Sequence, residues 1–523
     1  VTLRRTVQLV SLGLFFALFI AIPGHLLGVV PPDLYLRADP LVALGTILAA
    51  AGPFWIFWPA LVVAVSGLFM GRAYCGYVCP LGTLQDVFFG LGGKIPKERE
   101  TGGDAGVGGN FPYLVLVLSL AAAAAGLSLL GWTDPLIILL RATATLVAPL
   151  IRWVGLWSLD HIGPLDHILA YRGWILSSAD RAVGYGLSGA SLLLVGVLAA
   201  SALWRRRPWC RYACPLGALL GIMGRWAPIR RRVEEGCTDC GACLPSCPMG
   251  ALGPEPKGTD SRRCLVCRRC AEACPQGAIG FLPGFGNASS PLGGRKLSRR
   301  GLFAASAAGL LLGLTARVDA RSSGGKEGLI RPPGALPEPL FLNRCLRCGL
   351  CVEACVTGTL RPALLQGGWE GLWTPRADLR AAPCEQYCNR CGLVCPTGAI
   401  RPLEPLERIH AKMGTAILRR ERCLVWEQDK ACLVCDEICP YDAITFRQVG
   451  GMPRPFVTES RCNGCGQCEH KCPVKGASAI VVVPAGEIRL EKGSYREEAR
   501  RLGLVFTGAR GSSGEDFPEV FLK

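Results

Sequence analysis

The sequence predicts an α-helical membrane bundle of four transmembrane helices, with a fifth segment able to join them, followed by small α+β domains organised around cysteine. Three observations predict it. Half of the residues are hydrophobic and 66 of the 523 are glycine, a composition that does not suit a simple water-soluble globule of this length. Four uncharged apolar runs approach the roughly 20 residues that a helix needs to cross a bilayer. The 28 cysteines fall in clusters of fixed short spacing, the mark of metal ligation rather than of scattered disulfides.

The first apolar run is Val7 to Val30. The second ends near Met70 after starting around Leu41 or Phe54, its entry interrupted by Gly52-Pro53. The third is Tyr113 to Trp132 and the fourth Val183 to Trp204. Arg4 and Arg5 precede the first, and eight arginines fall between Trp204 and Val233. Both ends of the bundle therefore face the cytoplasm by the positive-inside rule, in keeping with an even number of crossings. Those inner loops also account for the formal net charge of +17. Nucleic-acid binding is excluded, because no stacking-aromatic or groove-reading motif accompanies the charge. Between the third and fourth runs, "DPLIILLRATATLVAPLIRWVG" carries a lone Arg141 and Arg152, which suggests a helix lying at the interface rather than a crossing. The chain thus divides into a membrane domain at 1–232, a cysteine-rich domain at 233–290, a signal-like segment and linker at 291–340, a second cysteine-rich domain at 341–485 and a polar tail at 486–523.

"CTDCGACLPSCP" places Cys237, Cys240, Cys243 and Cys247 at C-x2-C-x2-C-x3-C-P, and "CLVCRRCAEACP" repeats the spacing at Cys264, Cys267, Cys270 and Cys274. This is the bacterial ferredoxin run, in which three close thiolates hold one [4Fe–4S] cluster and the fourth ligates its neighbour. A zinc site wants C-x2-C pairs and leaves the third cysteine and the proline unexplained. The crossed ligand sets are Cys237/Cys240/Cys243/Cys274 and Cys264/Cys267/Cys270/Cys247. The second domain holds four more quartets. Two are regular, at Cys345, Cys348, Cys351, Cys355 and at Cys462, Cys465, Cys468, Cys472; two are loosened in the first gap, at Cys384, Cys388, Cys391, Cys395 and at Cys423, Cys432, Cys435, Cys439. Crossed pairing there predicts Cys345/Cys348/Cys351/Cys395, Cys384/Cys388/Cys391/Cys355, Cys423/Cys432/Cys435/Cys472 and Cys462/Cys465/Cys468/Cys439. Val356 replaces the proline after Cys355, which puts the local turn in question. The fold class of these domains is α+β, bacterial ferredoxin-like, and the cofactor expectation is six [4Fe–4S] clusters.

Six quartets use twenty-four cysteines, leaving "YCGYVCPLG" with Cys75 and Cys79 and "WCRYACPLG" with Cys210 and Cys214. Each sits where an apolar run meets the cytoplasmic side, and they share C-x-Y-x-C-P-L-G. A spacing of four puts both sulfurs of a pair on one helical face, so two facing helices would present four thiolates to a seventh metal centre. Buried inert thiols and a dithiol relay are the alternatives, the disulfide form being disfavoured on the reducing cytoplasmic side.

Residues 1 to about 290, with four apolar runs, the paired C-x3-C-P motifs and two ferredoxin quartets, resemble the NapH family of membrane ferredoxins, which includes MauN and more distantly NosR. Residues from about 296 onward, including "CLVWEQDKACLVCDEICP" and "RCNGCGQCEHKCP", resemble the four-cluster NapG and MauM family. The resemblance implies a fusion of two partners, a quinol dehydrogenase module of the periplasmic nitrate reductase type. It also explains "KLSRRGLFAASAAGLLLGLTARVDA" at Lys296 to Ala320: "SRRGLF" resembles a twin-arginine signal at the start of what would be a separate NapG-like chain. Fused here, it would act as a fifth crossing and leave the second ferredoxin domain periplasmic; as a hairpin or surface helix it would leave that domain in the cytoplasm.

In "LDHIGPLDHIL", Asp160, His161, Asp166 and His167 are candidates to accept the protons that quinol oxidation releases, or they simply hydrogen-bond within an outer loop. "GGDAGVGGN" does not follow a strand and open a helix, so phosphate binding is rejected. The expected function is iron–sulfur electron transfer between the quinone pool and a periplasmic or membrane-anchored cytochrome or reductase, in a lipid-embedded protein of the cytoplasmic membrane. The alternatives are a maturation or regulatory factor for a periplasmic metalloenzyme, as in MauM/MauN or NosR, and a scaffold anchoring cytochromes.

Overall fold

The computed structural model describes residues 2–20, 22, 31–50, 54–91, 110–161, 188–253, 257–283, 298–323 and 329–506. The chain divides into two compact units. The first is Val1–Leu146, Ser188–Arg317 and Asn343–Cys348; the second is Val147–Leu187, Val318–Leu342 and Gly349–Lys523.

The first unit opens with α1 (Thr2–Ile20), the one helix among the described residues that is both long and apolar enough to cross a membrane. The second apolar run is broken, as Gly52-Pro53 suggests, into α2 (Pro40–Ala50) and α3 (Trp58–Met70). Short α4 (Ala73–Tyr77) and then α5 (Pro80–Leu91) follow. The third run is divided between α6 (Phe111–Ala124) and a single helical turn at Leu130–Thr133. Gly126, at φ +89°, turns the chain, and Leu127 N–H donates back to Ala122 O at 2.8 Å. That is a Schellman stop, which glycine permits where other residues would strain.

The segment expected to lie at an interface is buried in its first part and exposes Leu150, Trp153 and Val154 further on. Its first part is α7 (Pro135–Ala142), with every residue buried. Arg141 is accommodated there by a backbone carbonyl and an aromatic face: its Nη1 donates to Gly131 O at 2.8 Å and its guanidinium stands 5.3 Å from the Trp132 ring centre. The fourth run is α8 (Ser188–Trp204), followed by α9 (Pro208–Tyr212) and α10 (Pro215–Met223).

These helices form two like halves, α1 to α5 and α6 to α10. In each, a D-P-L step opens the second helix, and C-x-Y-x-C-P-L-G joins the fourth to the fifth. The packing is reciprocal: α1 lies on α5 and α6 on α10, while α8 crosses to α5 and α3 crosses to α10. The outer sides of α3 and α8 are apolar and exposed, at Trp58, Leu61, Val62 and Phe69 and at Leu192, Leu193 and Val197. A contiguous surface of that kind marks contact with lipid or another protein.

Strands β1 (Ile229–Val233) and β2 (Ile279–Pro283) pair antiparallel, Ile229 opposite Pro283 and Val233 opposite Ile279. The pair closes the ends of the segment that carries the first eight ferredoxin-type cysteines. The signal-like segment is one continuous helix, α11 (Arg299–Ser323), about 37 Å long at helical rise. It is capped by Ser298, whose hydroxyl accepts from Gly301 N at 2.9 Å. It lies against α6 through two glycines four residues apart. A Cβ on Gly309 would collide with Leu118 O and Ala121, and one on Gly313 with the Cβ of Ala125. Small residues four apart bring helix backbones together in this way within membranes.

The second unit contains three two-stranded antiparallel sheets: β3 (Leu360–Pro362) with β4 (Pro375–Ala377), β5 (Thr415–Leu418) with β8 (Ile480–Val483), and the hairpin β6 (Ile444–Val449) with β7 (Met452–Val457). β5 and β8 close the segment holding its last eight cysteines, as β1 and β2 do in the first unit. Part of the tail is folded rather than merely polar: in α12 (Tyr495–Arg501), Tyr495 and Ala499 pack with Leu403, Ala411 and Ile488.

Replacing Gly309 and Gly313 together by leucine should force α11 off α6. Overpacking of about 1–3 kcal/mol per site should appear as faster proteolysis at 298–323 in detergent, with the β1–β2 domain unaffected.

Candidate metal centres

The four regular cysteine runs share one backbone device. In each, the residues just before and just after the second cysteine are left-handed: Asp239 and Gly241, Val266 and Arg268, Arg347 and Gly349, Gly464 and Gly466. Two such inversions within five residues curl the loop, so that its thiols converge instead of alternating outward. A second device follows the last cysteine. Gly250, Gly277, Gly358 and Gly398 are left-handed and donate to the carbonyls of Cys247, Cys274, Cys355 and Cys395 at 3.2–3.4 Å. Val356 therefore leaves its turn intact. The turn also directs later amides at sulfur: Ala251 N to Cys247 Sγ at 3.3 Å, Ala443 N to Cys439 Sγ at 3.3 Å and Ile400 N to Cys395 Sγ at 3.5 Å.

In the first unit, Cys247 lines one cavity of about 340 Å³ with Cys264, Cys267 and Cys270, and Cys274 packs beside Cys243 and Ile279. In the second, Cys439 shares a cavity of about 320 Å³ with Cys462, Cys465 and Cys468. Cys472 packs with Cys423 and Cys432, and Cys391 lies in electrostatic range of Cys388, Cys384 and Cys355. Each set takes one member from a neighbouring run. Of the remaining quartet, Cys345 and Cys348 belong to the first unit and Cys351 and Cys395 to the second. Among the described residues no three Cys, His, Asp or Glu side chains are drawn together around the position of a single metal ion. A cube held at its corners spreads its thiolates further than one ion does.

Burial pushes the free thiols of Cys264, Cys435 and Cys465 up to about 12 and those of Cys270 and Cys384 to about 11. A thiolate there needs compensating positive charge. Iron supplies it, and so do two buried arginines: Arg408 Nη2 donates to Cys384 Sγ at 3.1 Å and Arg231 Nη2 to Cys243 Sγ at 3.7 Å. The donor set, the cavities and the amides aimed at sulfur all fit iron–sulfur clusters.

The C-x-Y-x-C-P-L-G motifs are not continuous helices, which corrects the expectation of two sulfurs on one helical face. Cys75 lies within α4 and Cys210 within α9, whereas Cys79 and Cys214 precede the next helices. Pro80 and Pro215 have no N–H to continue the preceding helix and instead occupy the first turn of a new one. All four thiols are buried and electrostatically coupled. Burial raises them, Cys210 to about 11, and Gly217 N donates to Cys214 Sγ at 3.2 Å.

The sequence reading missed what surrounds these thiols. Arg207 Nη1 donates to Cys75 O at 2.7 Å and Arg72 Nη2 to Cys210 O at 3.1 Å. Asp86 binds Arg207 through both carboxylate oxygens, at 2.9 and 3.1 Å, and Arg4 at 2.6 Å. Burial opposes its ionisation, yet Arg207, Arg269 and Arg4 hold its carboxyl below the usual range. The missed signal is an arginine three residues before each first cysteine. A loop carrying Cys264 and Cys267 is seated on the motif backbones. A Cβ on Gly76 would stand 3.0 Å from Leu265 O and one on Gly221 would press on Arg262 O, while Tyr77 donates to Val266 O at 3.2 Å.

The D-P-L steps were also unread. Asp39 Oδ1 accepts from Leu41 N and Val42 N at 2.7 and 3.2 Å, and Asp134 Oδ1 from Leu136 N and Ile137 N at 2.9 and 3.1 Å. Both side chains are fully buried and lie in electrostatic range of each other. Of the proton candidates read from sequence, Asp160 and His161 end the helix Ala148–His161; Asp166 and His167 lie outside the described residues.

Comparison with known proteins places these features in a context. The 4Fe-4S binding domain family matches 51–98 and again 186–234, the two halves of the helical region. The 4Fe-4S dicluster domain family matches 236–278 and 430–476. The methylamine utilization ferredoxin-type protein MauM of Methylorubrum extorquens is 41% identical over 200 residues, 36% of this chain and 88% of the relative. The ferredoxin-type protein NapG of Escherichia coli K12 is 39% identical over 202 residues, 36% of this chain and 83% of the relative. MauN of Methylorubrum extorquens is 28% identical over 274 residues, 50% of this chain and 79% of the relative. No solved structure matches the chain.

Iron removal by chelation should unfold the cysteine-bearing segments, because the bound metal contributes folding free energy. Circular dichroism should lose the β5–β8 and β6–β7 signal while helices α1 to α10 persist. Unchanged strand content in iron-free protein would show that these domains fold without clusters.

Proposed function

This chain belongs to the family of ferredoxin-type proteins represented by MauM and NapG, and on that premise we propose that it is a membrane-bound electron-transfer protein linking the quinone pool to an extracytoplasmic cytochrome or reductase. It joins a NapH-type membrane unit to a NapG-type polyferredoxin in one chain. Its six quartets, in the crossed sets named above, hold six [4Fe–4S] clusters, which supply one-electron transfer when bound. Cys75, Cys79, Cys210 and Cys214 hold a seventh redox centre. The chain's own part is to space these sites, exclude water from them and set their charge.

The observation that carries the reading is the loop from Arg262 to Arg268 seated on Gly76 and Gly221. Leu265 and Val266, which lie between the predicted cluster ligands Cys264 and Cys267, meet Gly76 and Tyr77 next to Cys75, so a predicted cluster-bearing loop touches the segment that presents the buried thiols, as a short electron step requires. The Asp39–Asp134 pair supports the same reading, since quinol oxidation releases protons along with electrons and two buried carboxyl groups in electrostatic range of each other favour taking one up. The glycine-mediated packing of α11 on α6 supports a fifth membrane helix. With that helix crossing outward, the clusters of residues 237–274 are cytoplasmic and those of the second ferredoxin domain periplasmic.

Purified anaerobically, the protein should contain about twenty-four iron atoms in its six quartets, with an excess assignable to the seventh centre. In vesicles supplied with menaquinol, Cys75→Ser with Cys79→Ser should abolish cluster reduction by quinol while dithionite still reduces all six ferredoxin-type clusters. Wild-type rates in that variant would make these thiols structural.

Topology is tested separately. Arg299→Lys with Arg300→Lys removes the forked guanidinium pair with no change in charge. Protease added to spheroplasts should degrade the wild-type second ferredoxin domain and spare the variant's. Equal protection of the two would place that domain in the cytoplasm.

A further inference from the structure

The duplicated thiol motif is longer than its cysteines. Each half reads R-x2-C-x-Y-x-C-P-L-G, from Arg72 to Gly82 and from Arg207 to Gly217. The arginines are exchanged between halves: that of the first reaches a cysteine carbonyl of the second, and the reverse. The closing glycines leave room for them. A Cβ on Gly82 would lie 3.2 Å from Arg207 Nη1, and one on Gly217 would collide with the Arg72 guanidinium. Arg72 is 4% exposed and Arg207 is 0% exposed. Both guanidinium groups are permanently charged, so each needs an anion in its low-dielectric surroundings.

The two arginines differ in what neutralises them. Arg207 has Asp86, seven residues after the second cysteine of the first half. The matching position in the second half is Gly221, where a side chain would strike the docked loop at Arg262. Among the described residues, the groups that can carry negative charge and act most strongly on Arg72 are Cys75, Cys214, Tyr113 and Cys210. A phenol is neutral at physiological pH, and that leaves the thiols. Among the described residues, Arg72 is thus a buried cation that faces the cysteines with no carboxylate beside it.

We propose that Arg72 is the counter-charge of the four-thiol centre: its fixed, buried positive charge beside the cysteines raises the centre's reduction potential. This rests on the reading of the four cysteines as a redox centre. A fixed guanidinium stabilises the added negative charge when one electron arrives from quinol, and so favours the reduced state. Asp86 has the opposite influence, because it cancels Arg207. Both are positioning residues, acting on the centre through its charge.

The test uses the full-length, iron-loaded protein in detergent. The centre is first identified as the paramagnetic signal and the iron that Cys75→Ser with Cys79→Ser removes. Redox titration of Arg72→Gln should then show this signal shifted to lower potential by at least a tenfold change in the reduced-to-oxidised ratio, about 59 mV for a one-electron couple. The six ferredoxin-type signals should stay in place. Arg72→Lys, which keeps the charge, should recover most of the shift, and Asp86→Asn, which leaves Arg207 uncompensated, should move the centre to higher potential. Equal shifts in the Gln and Lys variants would assign the effect to the lost hydrogen bond and overturn the proposal. So would an unmoved potential in Arg72→Gln or, should that variant fail to assemble, in Asp86→Asn. If the double serine variant removes neither signal nor iron, the redox reading of the cysteines itself fails, and the role of Arg72 with it.

Discussion

A thiolate taken out of water leaves a negative charge in a medium that solvates it poorly, and this chain does so repeatedly. Its local structure is arranged around that cost. Left-handed residues on either side of the second cysteine curl each regular loop inward. Glycines three residues after the last cysteine direct backbone amides at sulfur. Arg231 and Arg408, both fully buried, add charge where amides do not suffice. The strands contribute little burial of their own and serve to close the segments that carry the cysteines. Such domains are held together from the ligands outward, and their strands are short for that reason.

The helical unit meets the same constraint by duplication. Each half supplies two thiols, one arginine, one aspartate-capped helix and one glycine that leaves space for the other half's arginine. Because the arginines cross, neither half forms its own environment. The cysteine carbonyls of one half are bonded by the guanidinium of the other, and α3 and α8 cross to the partner half in the same sense. The duplication is also broken at one place. Asp86 has no counterpart because Gly221 must let the loop at Arg262 approach. The contact that brings a predicted cluster-bearing loop to the thiols is thus the same contact that leaves Arg72 without a carboxylate. Position and charge of the centre are set by one glycine.

The helix that resembles an export signal shows how context reassigns a sequence. Paired arginines, a short apolar run and small residues satisfy a signal's description, yet Gly309 and Gly313 let the segment lie along α6 as part of the first unit. Small residues that favour cleavage in one setting permit close helix packing in another.

Much of the site was legible in the sequence, because cluster ligands are local: C-x2-C-x2-C-x3-C-P is a loop geometry written in consecutive residues. The 4Fe-4S character, the α+β ferredoxin-type domains, the apolar runs and the repeated C-x-Y-x-C-P-L-G were all read from spacing and composition. The division of the second apolar run into α2 and α3 was signalled by Gly52-Pro53, whereas the D-P steps went unread. Tertiary structure alone decided which distant groups meet. The first part of the helix expected at an interface is buried, with Arg141 held by Gly131 O and the Trp132 ring. The proline after Cys79 and Cys214 divided what periodicity suggested was one helix. The crossing of Arg72 and Arg207, the clasp on Asp86 and the proximity of Asp39 to Asp134 join residues roughly 80 to 140 positions apart. Sequence determines the chemistry available at each point of the chain, because it lies in the residues themselves; long-range packing determines which charges share a low-dielectric space, because only there do they act on one another with full strength.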